Sequence, residues 1–160
     1  MERLTKNRQV VIFKLGEKEY GIPILSVQEI IRPQSPTKLP NSPGFIRGII
    51  SLRGKVIPII DLAQRFGIMA SSATYERRYI VIEVRGNTVG IIVDSVSEVL
   101  AVVDDNIKPP VENLGFFDTR YISGILTRDE GLVILIDIEK IFLEDELLAL
   151  QEAGTETQEP

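Results

Sequence analysis

The chain has no cysteine and no histidine. Without cysteine there is no disulfide, no thiolate nucleophile and no zinc–thiolate site. Without histidine there is no Ser-His-Asp triad and no Cys-His pair, and most transition-metal sites are excluded. No metal site and no cofactor is expected. Positive charge is also scarce: 18 lysines and arginines face 23 aspartates and glutamates, for a formal net charge of −5. No run of cations supplies the footprint that nucleic acid or an anionic lipid surface requires. Long apolar runs are missing as well. LVILI at 132–136 is among the longest, far short of the ~20 residues of a bilayer-spanning helix. The first residues, MERLTKNRQ, are polar and hold no apolar signal core. These absences point to a cytoplasmic protein that binds no nucleic acid and does not insert in a membrane.

What is present is β texture. The 160 residues are 44% hydrophobic and 26% charged, a globular composition with room for one ordinary domain or two very small ones sharing a core. Short β-branched runs recur between Gly, Pro, Asn and Asp: VVIFKL (10–15), EYGIPI (19–24), VQEIIR (27–32), IRGIISL (46–52), KVIPIID (55–61), YIVIEV (79–84), TVGIIV (88–93), SEVLAVV (97–103), ISGILT (122–127) and LVILID (132–137). Strands this short and close predict barrels or a sandwich rather than alternating β and α units. Gly86-Asn87 reads as a hairpin turn. Helical pattern is confined to LAQRF (62–66) and to IEKIFLEDELLALQEA (138–153), where Ile138, Ile141 and Phe142 share a face. Residues 1–8 read as a disordered N-terminus and 151–160 as a flexible tail.

The chain repeats itself. FIRGIISLRGKVIPIIDLAQRF (45–66) aligns without gaps on YISGILTRDEGLVILIDIEKIF (121–142), with six of 22 positions identical, among them Gly48/Gly124 and Asp61/Asp137. VIFKLGEKEYGIPILSVQEII (11–31) aligns on IVIEVRGNTVGIIVDSVSEVL (80–100), with five of 21 identical, among them Val27/Val96 and Glu29/Glu98. A unit of about five strands is therefore duplicated, and the second copy carries a longer connection over 104–120.

Shared positions read as scaffold. Gly48 and Gly124 predict a bulge or a close backbone approach. Asp61 and Asp137 are placed as helix N-caps, and Gln64 completes a capping-box pattern in the first copy. Positions that differ are the better candidates for function. The first copy has Arg53-Gly54 at a hairpin tip where the second has Asp129-Glu130, and Pro58 where the second has Ile134. A proline there predicts an edge or bulged strand.

IRGIISLRGKVIPIIDL (46–62) resembles the signature of CheW-type proteins, usually G-x-x-N-L-R-G-x-x-x-P-x-x-D-L. The likeness continues through YGIPILSVQEII (20–31), TVGIIVDSVSEVL (88–100), IKPP (107–110), ISGI (122–125) and ILIDIEKIF (134–142). Ser51 stands at the usual asparagine position, giving up the amide's double capacity for one hydroxyl. The resemblance implies a mostly β fold of two tandem, pseudo-symmetric five-stranded SH3-like barrels packed together. A short helix would follow the first barrel, and a C-terminal helix would end the domain. The CheW-like domain would cover 9–150, with barrel 1 over roughly 9–68 and barrel 2 over roughly 76–143, strands being free to exchange. It implies a non-catalytic adaptor, monomeric in isolation. Such an adaptor couples the cytoplasmic hairpin tips of chemoreceptors to the regulatory domain of a histidine kinase, in arrays under the membrane. With no phosphotransfer, ATP-binding or receiver segment within these 160 residues, a stand-alone adaptor is expected rather than a kinase fragment or a fusion.

The resemblance also places residues. Arg53, Val27, Glu29 and Gly48 fall at receptor-binding positions. Arg53 would offer its planar five-donor fork to carboxylates or free carbonyls; its alternative is to close the hairpin. Gly54 reads as turn geometry, Gly48 as steric permission and Ile30 as core. Kinase contacts fall on Arg32, Gln34, Pro36 and Lys38 of the proline-rich segment IRPQSPTKLP (31–40), otherwise a plain connector. A ring-closing contact falls on the loop from Lys108 to Asn113. Two other readings compete. One is an aspartic-protease-like enzyme using Asp61 and Asp137, but the Ser/Thr-Gly that positions such carboxylates is missing. The other is the same adaptor in another chemosensory pathway, serving pili or a different motility system.

Overall fold

A computed structural model describes residues 7–69, 75–109, 119–128, 131–142, 146 and 149. All ten expected strands form: β1 (Asn7–Leu15), β2 (Lys18–Pro23), β3 (Val27–Ile31), β4 (Ile46–Leu52), β5 (Lys55–Asp61), β6 (Arg78–Val84), β7 (Asn87–Val93), β8 (Ser95–Val103), β10 (Ile122–Arg128) and β11 (Gly131–Ile136). The short helix α1 (Leu62–Phe66) follows β5. An eleventh strand, β9 (Ile107–Lys108), is too short to leave a pattern in sequence.

The strands form two sheets, ordered β8-β1-β2-β11-β10-β9 and β3-β6-β7-β5-β4. Each draws on both copies of the repeat, and the exchange itself obeys the repeat. β1 pairs with β8 as its counterpart β6 pairs with β3. β2 runs parallel to β11 as β7 runs parallel to β5. One sheet has six strands rather than five because β9 extends it past β10. In the other sheet a single bridge, Thr37 to Ile49, holds the equivalent place.

Neighbouring residues of the central strands enter different cores. Val10 and Ile12 of β1 pack inside their own sheet with Leu126, Val133 and Leu135, while Val11, Phe13 and Leu15 face the other sheet. In β6, Tyr79 and Val81 join Ile57 and Ile59, while Ile80, Ile82 and Val84 enter the shared core. Burial on both faces is why these strands read as unbroken apolar runs. Each fully buried aliphatic side chain contributes about 1.5–3 kcal/mol, so the shared core binds the two sheets into one body. Tyr20 lies in it, stacked on Phe13 with ring centroids 6.0 Å apart. Burial, and then Tyr121, pushes its phenol up to about 12, so it stays neutral at physiological pH.

Three expectations are corrected locally. β5 is an interior strand, between β7 and β4, despite Pro58. The proline is tolerated because the ladder to β7 starts only at Ile59. In the other copy the ladder begins at Val133, two residues before Leu135, the counterpart of Ile59. Both ladders hold three pairs, so the missing amide donor has displaced one ladder along its strand rather than shortened it. Next, the β6–β7 turn is Arg85-Gly86, not Gly86-Asn87. Val84 pairs with Asn87, and φ is 48° at Arg85 and 83° at Gly86, as a two-residue hairpin requires. Finally, residues 138–140 form a 3-10 turn where a helix over 138–153 is expected. Glu146 and Ala149 are helical, and 143–145, 147, 148 and 150–153 lie outside the described residues.

Both aspartates cap. Asp61 Oδ1 accepts from the Gln64 amide at 3.0 Å, and Asp137 Oδ1 from the Glu139 amide at 3.1 Å. The capping box is not completed, because the Asp61 amide donates to the Phe45 carbonyl at 2.8 Å. Instead Arg47 donates to Asp61 Oδ2 through Nε at 2.9 Å and Nη2 at 2.6 Å. The second copy has Ser123 at that position. Asp61→Ala is therefore expected to cost about 2–3 kcal/mol, against about 1 kcal/mol for Asp137→Ala. Half-exposed Arg47 is resolvated by water, which caps the difference. Thermal melting of the two variants tests the order; equal losses would show that Arg47 adds nothing.

A candidate partner-binding site at the first hairpin tip

Leu52 pairs with Lys55, so Arg53 and Gly54 are the two turn residues of the β4–β5 hairpin. Both are left-handed, with φ of 50° and 82°. For an arginine this costs about 1–2 kcal/mol, which the hairpin tolerates because its twist needs that turn type. The Arg53 guanidinium, through Nη1, pairs with Glu29 Oε2. Glu29 lies on β3 and Arg53 follows β4, the two edges of one sheet. Their contact means the sheet is curled until its edges meet.

The second copy does the same with a shifted residue. Arg128, at the end of β10, reaches Glu98 of β8 at 3.1 Å and Glu19 of β2 at 3.7 Å. The second tip therefore does use a cation, supplied one position before Asp129, which lies outside the described residues. The signal was available in the aligned copies, where Arg128 faces Leu52. The two arginines differ in freedom. Among the described residues Arg128 has two carboxylates and is 30% exposed; Arg53 has one and is 75% exposed. Arg53 keeps unused donors of its fork pointed at solvent, where an incoming carboxylate or carbonyl can meet them.

The structure brings Arg53 and Glu29 together. Val27, half-buried, packs on the shared core at the start of the same strand. A register shift separates Val27 from Glu29. Gly48 is elsewhere: it is buried at a bulge in β4, with φ of 150°. A Cβ there would strike the Thr37 carbonyl oxygen and lie 2.8 Å from its carbon and 2.9 Å from Pro36 Cβ. Its contribution is space for the segment above it. Ile30 is 41% exposed, not core.

That segment is more than a connector. Arg32, Gln34 and Lys38 are exposed and Pro36 is half-buried. Thr37 exchanges two backbone hydrogen bonds of 2.9 Å with Ile49, and Tyr79 Oη donates to the Gln34 carbonyl at 2.6 Å. Burial raises the Tyr79 phenol above its ordinary value, so the donor proton stays in place. Lys108 is exposed on β9 opposite Ile125, the counterpart of Ile49, so it stands on the equivalent edge of the other sheet. Asn113 lies outside the described residues.

One anchoring residue escaped the sequence reading. Asp94 is buried; its Oδ2 accepts from the Gly16 amide at 2.6 Å and its own amide donates to the Lys14 carbonyl at 2.9 Å. It clamps the β7–β8 corner to the β1–β2 hairpin. Leu25 is its counterpart, 97% exposed, so this difference between copies was a visible cue. Among the described residues no cluster of metal-ligating side chains occurs and no helix is long and apolar enough to cross a membrane.

Known proteins match this architecture closely. A family model for the CheW-like domain matches residues 9–146. A probable chemotaxis protein CheW from Rhizobium etli is 39% identical over 140 residues, 88% of this chain and 90% of that protein. Chemotaxis protein CheW from Klebsiella aerogenes is 39% identical over 143 residues, 89% and 86% of the two chains. The crystal structure of the scaffolding protein TtCheW from Thermoanaerobacter tengcongensis superposes with a TM-score of 0.81 at 37% identity, covering 91% of this chain and 94% of that one. The chain belongs to the CheW-like family, a family of non-catalytic chemotaxis scaffolds.

Proposed function

We propose that the chain couples chemoreceptor hairpin tips to a histidine kinase and helps assemble their array at the inner face of the membrane. The observation that carries this reading is Arg53, largely exposed and held by one carboxylate among the described residues, while Arg128 of the other copy is held by two. The two curled sheets are read as two SH3-like barrels. Arg53, Glu29 and Val27 form the receptor contact, with Gly48 shaping the strand behind it. Arg32, Gln34, Pro36 and Lys38 meet the kinase's regulatory domain, and Lys108 with Asn113 closes a ring through a second kinase contact. A rigid, pinned segment suits docking because little entropy is lost when it binds. Each contact can be modest, since tethering in an array raises effective concentration.

The test is reconstitution. The monomeric chain is expected to bind a receptor cytoplasmic fragment and the kinase's regulatory domain separately by calorimetry. It is expected to raise kinase activity only when both are present. Binding to neither would end the coupling reading while leaving the family intact.

A further inference from the structure

A groove of about 480 Å³ lies where the end of β1 and the start of β8 meet β3 and the start of β6, and Arg53 does not line it. Lys14, Arg78, Ser95 and Ser97 line it with polar groups. Ile30, Val96 and the exposed Tyr75 give it an apolar side, and Glu76 is its one acid among the described residues. The Arg78 guanidinium is fixed by the Tyr75 carbonyl at 3.2 Å and the Arg77 carbonyl at 2.7 Å. Lys14 is held by its backbone, through the bond from the buried Asp94 amide. The Lys14 ammonium and the hydroxyls of Ser95 and Ser97 have no hydrogen bond or ion pair among the described residues. A fixed cation, a free cation and two free hydroxyls around one groove are a receptor for an anion flanked by apolar surface.

The repeat supplies an internal control. In the other copy Glu83 stands where Lys14 stands and Gln28 where Ser97 stands. Those two satisfy each other, Gln28 Nε2 donating to Glu83 Oε2 at 3.3 Å. At these two positions the pseudo-symmetric counterpart is thus anionic and paired, whereas the groove is cationic and unpaired. A two-fold arrangement of strands would otherwise accept a helix in either direction; opposite charges at equivalent positions remove that ambiguity.

We propose that this groove takes a carboxylate of the docking receptor helix, held by Lys14 and Ser97 beside Ile30, and so sets the direction in which the helix lies. The inference rests on the receptor reading above and adds a second, orienting contact to it. The test titrates a receptor cytoplasmic fragment into the full chain and its variants, with melting and kinase-domain binding as parallel readouts. Lys14→Glu is expected to weaken fragment binding about tenfold or more, with unchanged melting and kinase affinity, and Lys14→Arg to stay within about threefold. Ser97→Asp, which places an acid in the groove from another strand, is expected to match Lys14→Glu. Glu83→Lys is expected to change binding less than about twofold. If the wild-type chain binds but Lys14→Glu and Ser97→Asp bind equally well, the groove inference is overturned and the receptor reading stands. The groove inference is likewise overturned if those variants lose the kinase domain instead. No binding by the wild-type chain would remove both.

Discussion

Arg53→Glu is expected to weaken receptor-fragment binding by about 2–5 kcal/mol, the scale for reversing a hydrogen-bonded charge at an interface. That is roughly 30-fold to several-thousand-fold in affinity, enough to erase a micromolar contact. Kinase-domain binding is expected to stay near wild type. Melting should move little, because the Arg53–Glu29 pair lies on the surface, with Arg53 75% exposed, and exposed pairs contribute only about 0–1 kcal/mol. The difficulty is that the same arginine also joins the two edges of its sheet. The double variant Arg53→Glu/Glu29→Arg separates the roles. It restores an ion pair across the edges but presents the wrong charge at the tip. If the pair matters only for closing the sheet, the swap regains receptor binding. If the tip meets the receptor, the swap melts like wild type and still fails to bind. Arg53→Lys is expected to recover part of the affinity, since an ammonium lacks the planar fork. Collapse of melting and of both binding reactions in Arg53→Glu would identify a structural turn residue instead.

Arginine at this turn is not itself diagnostic. Arg85-Gly86 makes the same left-handed pair at the β6–β7 turn, with φ of 48° and 83°. What separates Arg53 is its surroundings: Arg85 reaches Glu139 at 3.7 Å on another element, whereas Arg53 ties two edges of one sheet. Such a distinction lies in tertiary geometry, beyond the reach of residue pattern.

Local signals carried far in this chain. Period and turn residues located ten strands: burial on both faces made the central ones apolar runs with clear ends, and β-branched residues marked edge strands such as β3 and β8. The internal repeat separated scaffold from difference, and both capping aspartates followed from it. Non-local pairings did not show. Pro58 pointed to an edge or bulged strand, yet β5 is interior, since what a proline forbids is one ladder bond and here the ladder begins one residue later. β9 went unseen because two residues cannot show a period. Arg128 and Asp94 went unseen for a different reason. Their partners, Glu98 and Gly16, are distant in sequence, and only the exchange of strands between copies brings them close. Family resemblance named the candidate residues one by one. The division within it was not: Arg53 and Glu29 touch, while Gly48 acts from beneath a neighbouring segment.

Gly48→Ala is the sharpest test of that division. A methyl group there meets backbone, the Thr37 carbonyl, and the ring of Pro36. Neither can rotate away, and the residue also holds φ at 150°, a conformation that costs an alanine about 1–3 kcal/mol before any clash. The expected loss is therefore about 3 kcal/mol or more, a fall in Tm of about 6–12 °C for a chain of this length. Gly124→Ala is the matched control. Its methyl would meet chiefly the Ile107 side chain, with the Lys108 carbonyl oxygen at 3.2 Å, and a side chain yields more readily than a backbone. Gly124→Ala is expected to cost less than half as much. Binding follows from the same geometry. The segment bearing Arg32, Gln34, Pro36 and Lys38 is pinned to β4 at Thr37, so the added methyl lifts it. Below the melting transition, kinase-domain affinity should fall further than receptor affinity. The opposite order, receptor binding lost with kinase binding kept, would place Gly48 at the receptor contact itself and break the link between this glycine and the segment above it.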